Sequence, residues 1–119
     1  MSSVVRRGLV LLVIAALGSA CQSKRSEAQV AEGRELFTNA CSRCHGAEGT
    51  GGLPLWDGGP SPPSFRNHAF QVAHPPDVIR QTIVQGKPPG MPPFGTTFSD
   101  AQLAAIIGHV RSLDLEAQK

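Results

Sequence analysis

Cys41-Ser42-Arg43-Cys44-His45 is the stretch whose reading decides the rest of this chain. It is a C-x-x-C-H run, the spacing used for covalent attachment of c-type haem. Two thiols three positions apart can each add to a haem vinyl group, and the imidazole beside the second thiol then falls under the iron as proximal ligand. Two other readings compete. C-x-x-C also serves zinc sites and thioredoxin-like redox pairs. A zinc site needs two further ligands at workable spacing. The chain has no second C-x-x-C, and Cys21 is its one other cysteine, but His68 and His74 could complete a two-Cys, two-His set. A redox dithiol should follow a strand inside a βαβ pattern, whereas the residues before Cys41 read as helix. Haem attachment therefore has the most support.

Working toward the N-terminus, residues 1–20 have the layout of a bacterial export signal. Arg6 and Arg7 precede an uncharged apolar run, Gly8 to Leu17, and small residues stand before Cys21. The run is shorter than the roughly 20 apolar residues of a membrane span. Leu17-Gly18-Ser19-Ala20-Cys21 resembles a lipobox, with Gly18 where the commonest pattern has Leu. On that reading Cys21 becomes a lipidated N-terminus on the periplasmic side; otherwise it is left as a free thiol in an oxidising compartment, with no disulfide partner once Cys41 and Cys44 are committed. Residues 21–27 read as a polar tether, and 28–119 as one domain.

Without its first 20 residues the chain has nine Lys and Arg against nine Asp and Glu. A neutral chain argues against nucleic-acid binding. So short a domain buries a limited core unaided, and a covalent cofactor would supply a staple.

Three main helices are predicted. The first runs from about Glu27 to Ala40, with Val30, Gly33, Phe37 and Ala40 on one face. The second, Pro76 to Gln85, begins at a proline pair and stops at Gly86. The third, Asp100 to Leu113, follows an S-x-x-Q capping signal at Ser99 and Gln102 and carries Leu103, Ile106, Ile107, Val110 and Leu113 as a core stripe. Residues 46–75 are rich in Gly and Pro and predict a long irregular loop, acceptable in so small a domain if it wraps a cofactor.

Beyond Met1, Met91 is the sole methionine, framed by Pro88, Pro89, Pro92 and Pro93. Electron-transfer haems often pair His with Met. A stiff, extended proline frame could hold a thioether at iron at small entropic cost, which favours an axial ligand over a core filler.

In this order (N-terminal helix with Gly33 and Phe37, C-x-x-C-H, Gly/Pro loop, short helix, Met91-Pro92, C-terminal helix ending Val110-Arg111-Ser112-Leu113) residues 27–114 resemble the class I cytochrome c family. The resemblance implies an all-α class I cytochrome c fold around one haem c. It implies thioether bonds from Cys41 and Cys44, axial ligands His45 and Met91, and a crossing of the terminal helices near Gly33. It also implies a proline carbonyl accepting the proximal imidazole N–H, with Pro60, Pro62 and Pro63 as candidates. The family commonly has an aromatic residue where His109 stands, and mitochondrial-type members dock through a lysine ring that a neutral chain does not predict. His68, His74 and His109 are expected to be surface or packing residues. The implied function is one-electron transfer between redox protein partners at a membrane surface, with no substrate position and hence no enzyme activity. The alternatives are a haem sensor or peroxidase-like protein with an open distal site, and a cytochrome subunit of a larger oxidoreductase complex.

Overall fold

The structure is a computed structural model and describes residues 26–52 and 54–119. The predicted export signal and Cys21 lie outside the described residues. Helix α1 covers residues 26–40, so residues 26 and 27, assigned above to the tether, are already helical. There follow α2 (Ser42–His45), α3 (His68–Ala73), α4 (Pro76–Gln85) and α5 (Asp100–Ser112). Among the described residues there is no β-strand, and one isolated bridge joins Lys87 to Met91.

The ends of α4 and α5 form as the sequence predicts. Pro76 sits in the first turn of α4, and Gly86 ends the helix at φ 70°, with its N–H on the Thr82 carbonyl. Ser99 and Gln102 close a reciprocal capping box: the Ser99 hydroxyl accepts from Gln102 N at 3.2 Å, and Gln102 Oε1 accepts from Ser99 N at 2.9 Å. Helix α5 stops at Ser112, one residue early.

The core joins Phe37 of α1, Ile79 and Ile83 of α4, and Leu103, Ile106 and Val110 of α5, with Phe65 arriving from the loop. Burying a side chain such as Phe37 is worth about 1.5–3 kcal/mol. In α1 the buried face is narrower than expected: Gly33 and Phe37 are buried and Leu36 packs beside them, whereas Val30 and Ala40 are exposed. The narrowing has a physical cause. Helix α5 crosses α1 at Gly33, where a Cβ would overlap the carbonyl oxygen of Ala105 and stand 3.2 Å from Cβ of His109. Contact with the core is confined to the stretch from Gly33 to Phe37, and α1 faces solvent at Val30 before it and at Ala40 after it.

Two expectations are corrected. The loop over 46–75 is not wholly irregular, because α3 forms within it, capped by the Asn67 side chain accepting from Phe70 N at 3.1 Å. The proline-framed segment is not extended: Lys87 N donates to Met91 O at 2.9 Å and Met91 N to Lys87 O at 3.0 Å, closing a tight turn.

Candidate functional site

The C-x-x-C-H run is one helical turn placed directly after α1. Cys44 N and His45 N both donate to the Cys41 carbonyl, at 3.2 and 3.0 Å. Residues three and four apart on a helix lie on one side, so Cys41, Cys44 and His45 project together. All three line a single cavity of about 460 Å³, a size common for cofactor sites. Both thiols are free. Burial, then the neighbouring Cys44, pushes the Cys41 thiol up to about 11.

The rest of the wall is mostly apolar. Ile79, Thr82 and Ile83 come from α4, Ile106 and Val110 from α5, and Leu55, Trp56, Pro60, Pro62, Pro63 and Phe65 from the loop. Met91 lines the same cavity from its turn, which is pinned to the end of α4 by Phe94 N on Ile83 O at 2.9 Å and Gly95 N on Val84 O at 3.1 Å. The sequence-predicted quartet of Cys41, Cys44, His45 and Met91 is thus assembled around one space.

The His45 ring stacks on Phe65, centroids 4.7 Å apart and planes 23° from parallel. Burial lowers its pKa, and the Pro63 carbonyl partly opposes this. Of the three candidate prolines, Pro63 is the one whose carbonyl influences the ring. His45 Nδ1 is buried and has no hydrogen-bond partner among the described residues. A neutral imidazole is the form that ligates metal. These features fit a haem held through the C-x-x-C thiols and the imidazole: an apolar cavity, paired free thiols, and a buried ring whose neutral form is favoured.

Phe65 is itself fixed from behind, by residues the sequence reading missed. Gln71, buried in α3, donates to the Phe65 carbonyl at 2.6 Å and to the Val110 carbonyl at 2.9 Å. Arg111 donates in turn to Gln71 O and Oε1, at 2.6 and 2.8 Å. A signal for this existed in Asn67 as a helix cap, but six residues show no periodicity.

The zinc alternative is not assembled. Among the described residues no group of three or more His, Cys, Asp and Glu side chains comes together to hold a metal ion. His68 instead pairs with Asp114, Nδ1 to Oδ2 at 2.9 Å. His74 lies at the cavity wall, stacked on Phe70 and with Nδ1 2.8 Å from the Phe70 carbonyl. His109 is a packing residue: 4% exposed, it meets Phe37 edge-on at 5.0 Å.

A helical fold around one apolar cavity, with C-x-x-C-H on its wall, defines a c-type cytochrome. The family described as cytochrome C oxidase, cbb3-type, subunit III has a model that matches residues 28–110, and the chain belongs to that family. Membership carries covalently bound haem c with it and fits an electron carrier better than a catalytic enzyme. No solved structure matches the chain.

Proposed function

We propose that this protein is a one-electron carrier in which Cys41 and Cys44 hold haem c as thioethers and His45 and Met91 are its axial ligands. The observation that carries this reading is the convergence of the attachment turn and the mature chain's sole methionine on one apolar cavity. Haem c, when bound, supplies a reversible one-electron ferrous/ferric couple. Everything else is the work of the chain. His45 offers an imidazole whose neutral form burial favours, with the Pro63 carbonyl nearby. Met91 is offered by a turn with two backbone hydrogen bonds across its base, so the weak thioether needs little further ordering. With both axial positions filled, no place remains for a substrate. The apolar wall keeps water away and disfavours the more charged ferric state, which together with His/Met ligation raises the potential.

Export followed by lipidation of Cys21 would hold this centre at the periplasmic face of a membrane, within reach of membrane-bound donors and acceptors. Among the described residues no helix is long and apolar enough to cross a membrane. A second reading, a haem subunit within a larger oxidoreductase, is favoured by the family description, which names an oxidase subunit.

A pyridine haemochrome spectrum with intact mass tests attachment: one haem c per chain is expected, and a colourless protein of unmodified mass overturns the reading. The ferric near-infrared sulfur-to-iron band tests the distal side. It is expected in the native protein and absent from Met91→Ala; identical spectra from both would remove Met91.

A further inference from the structure

Trp56 is the chain's one tryptophan, and the electron-carrier reading leaves it unused. It lies in a glycine-rich turn closed by Gly59 N on the Trp56 carbonyl at 3.1 Å, with Gly58 between them at φ +76°. That conformation favours glycine, and it folds the chain back so that the indole lies flat on Gly59. A Cβ on Gly59 would stand 2.6 Å from Cε2 and 2.8 Å from Nε1 of Trp56. The far edge of the indole reaches the methionine turn. A Cβ on Gly90 would be 3.8 Å from Cη2 of Trp56 and 3.6 Å from Cγ of Pro60, ordinary contact distance. Trp56, Pro60, Gly90 and Met91 are all wall residues of the cavity. Two segments more than thirty residues apart in sequence therefore come close to each other at one ring, with only the space of a side chain between the indole edge and Gly90, beside the proposed axial ligand.

We propose that Trp56 is a positioning residue for Met91: its indole, seated on Gly59, braces the Lys87–Met91 turn at Gly90 and keeps water from the thioether side of the cavity. Exposure of the ring does not carry this, since single exposed apolar residues are common. The carrier is the pair of glycine positions, Gly59 admitting the ring and Gly90 facing its edge, together with the shared cavity wall. The local hydrogen bonds of the turn fix its shape but do not cover its outer side; the indole does. The proposal rests on Met91 being an axial ligand.

The test uses the full haem-loaded protein and three variants, Trp56→Ala, Trp56→Phe and Gly59→Ala. Trp56 is partly exposed and outside the core, so the fold and the thioether attachment should survive. Gly59→Ala keeps the indole but drives it off its seat. Three quantities are read: the ferric near-infrared band, the midpoint potential, and the rate of cyanide binding to the ferric iron. Trp56→Ala and Gly59→Ala are expected to weaken the band, lower the potential and speed cyanide binding about tenfold, the factor for 1.4 kcal/mol of lost closure. Trp56→Phe should recover most of each. A native protein with the band, and an alanine variant with unchanged band, potential and cyanide rate, overturns the role of Trp56 while leaving Met91 as ligand. A native protein without the band removes the ligation reading, and this proposal with it.

Discussion

Gly33→Ala should destabilise this protein, although the same change in an ordinary helix does the reverse. Replacing an interior helical glycine by alanine normally gains about 1 kcal/mol, because glycine gives up more backbone freedom on folding. At Gly33 the added methyl meets the backbone of α5. It would overlap the Ala105 carbonyl oxygen and lie 2.6 Å from the carbonyl carbon. Neither atom belongs to a side chain that can rotate away, so α1 and α5 must separate. Separation loosens Phe37 and Ile106, each 1% exposed and both in the cavity wall. Overpacking of this kind costs about 1–3 kcal/mol. A rigid carbonyl argues for the upper end, and subtracting the propensity gain leaves a net loss of about 2 kcal/mol. The matched control is Gly108, exposed in α5, where a Cβ would meet nothing within 4 Å. Gly108→Ala should stabilise by about 0.5–1 kcal/mol. Guanidinium unfolding of the haem-loaded variants, followed by far-ultraviolet dichroism, gives both differences at unchanged m. In thermal melts Gly33→Ala should fall by roughly 8–16 °C for a domain of this size. A Gly33→Ala protein as stable as the native one, or moved in the same direction as Gly108→Ala, would refute the helix crossing described here.

The remaining predictions concern titration and anchoring. His109→Phe should raise stability by about 1–3 kcal/mol, since both ring nitrogens are buried without partners while the packing on Phe37 suits a phenyl ring. Burial, then the charge of Arg34, holds the His109 pKa below its ordinary value. The unfolded chain therefore takes up a proton that the folded chain refuses, and stability falls as pH drops through about 6.5. Unfolding curves at about pH 7.5 and about pH 5.5 should show that fall shrinking in the Phe variant. The hydrogen bond from His68, with help from the Glu116 and Ala117 backbone, holds the Asp114 carboxyl below its usual range. Its contribution is present above about pH 4 and is lost as pH falls toward the lowered folded value. Asp114→Asn should accordingly flatten the acid limb of an equilibrium unfolding titration. Cys21→Ser should move the protein from the membrane to the soluble periplasmic fraction, and unchanged retention would end the lipid-anchor reading.

The parts of this molecule legible in the sequence are those with local causes. Helix α4 is bracketed by Pro76 and Gly86, and α5 opens with a capping box, so backbone chemistry marks their ends within a few residues. C-x-x-C-H and the sole methionine beyond Met1 announce themselves by type and count. The features that stayed hidden depend on partners distant in the chain. His109 interrupts an apolar stripe, and nothing local says that its ring would be buried against Phe37. Val30 and Ala40 continue the spacing of Gly33 and Phe37, but α5 crosses at one point and does not run alongside. Helix α3 is too short for its periodicity to show, and Gln71 is buried because two carbonyls, Phe65 and Val110, await it. The prolines around Met91 suggest an extended segment, whereas pairing of Lys87 with Met91 bends it into a turn.

The Met91 turn has a consequence for how the protein opens and how its potential can be altered. The backbone hydrogen bonds of residues 87–95 run within that segment, to Ile83 and Val84 of α4, or to the nearby Thr97, whose N donates to Phe94 O. The other half of the site is tied together across most of the domain, with Gln71 reaching Phe65 and Val110, and α1 pressed on α5 at Gly33. Contacts of short sequence separation close quickly and separate without disrupting the remainder. The ten residues from Gly86 to Gly95 therefore form a locally hydrogen-bonded segment, which meets the rest of the domain through side-chain packing, Met91 and Phe94 against the core and Pro60 beside Gly90. On the axial role proposed for Met91, substituting the segment would exchange one sixth ligand, and one range of potentials, for another, while the hydrogen bonds of the attachment half stay as they are.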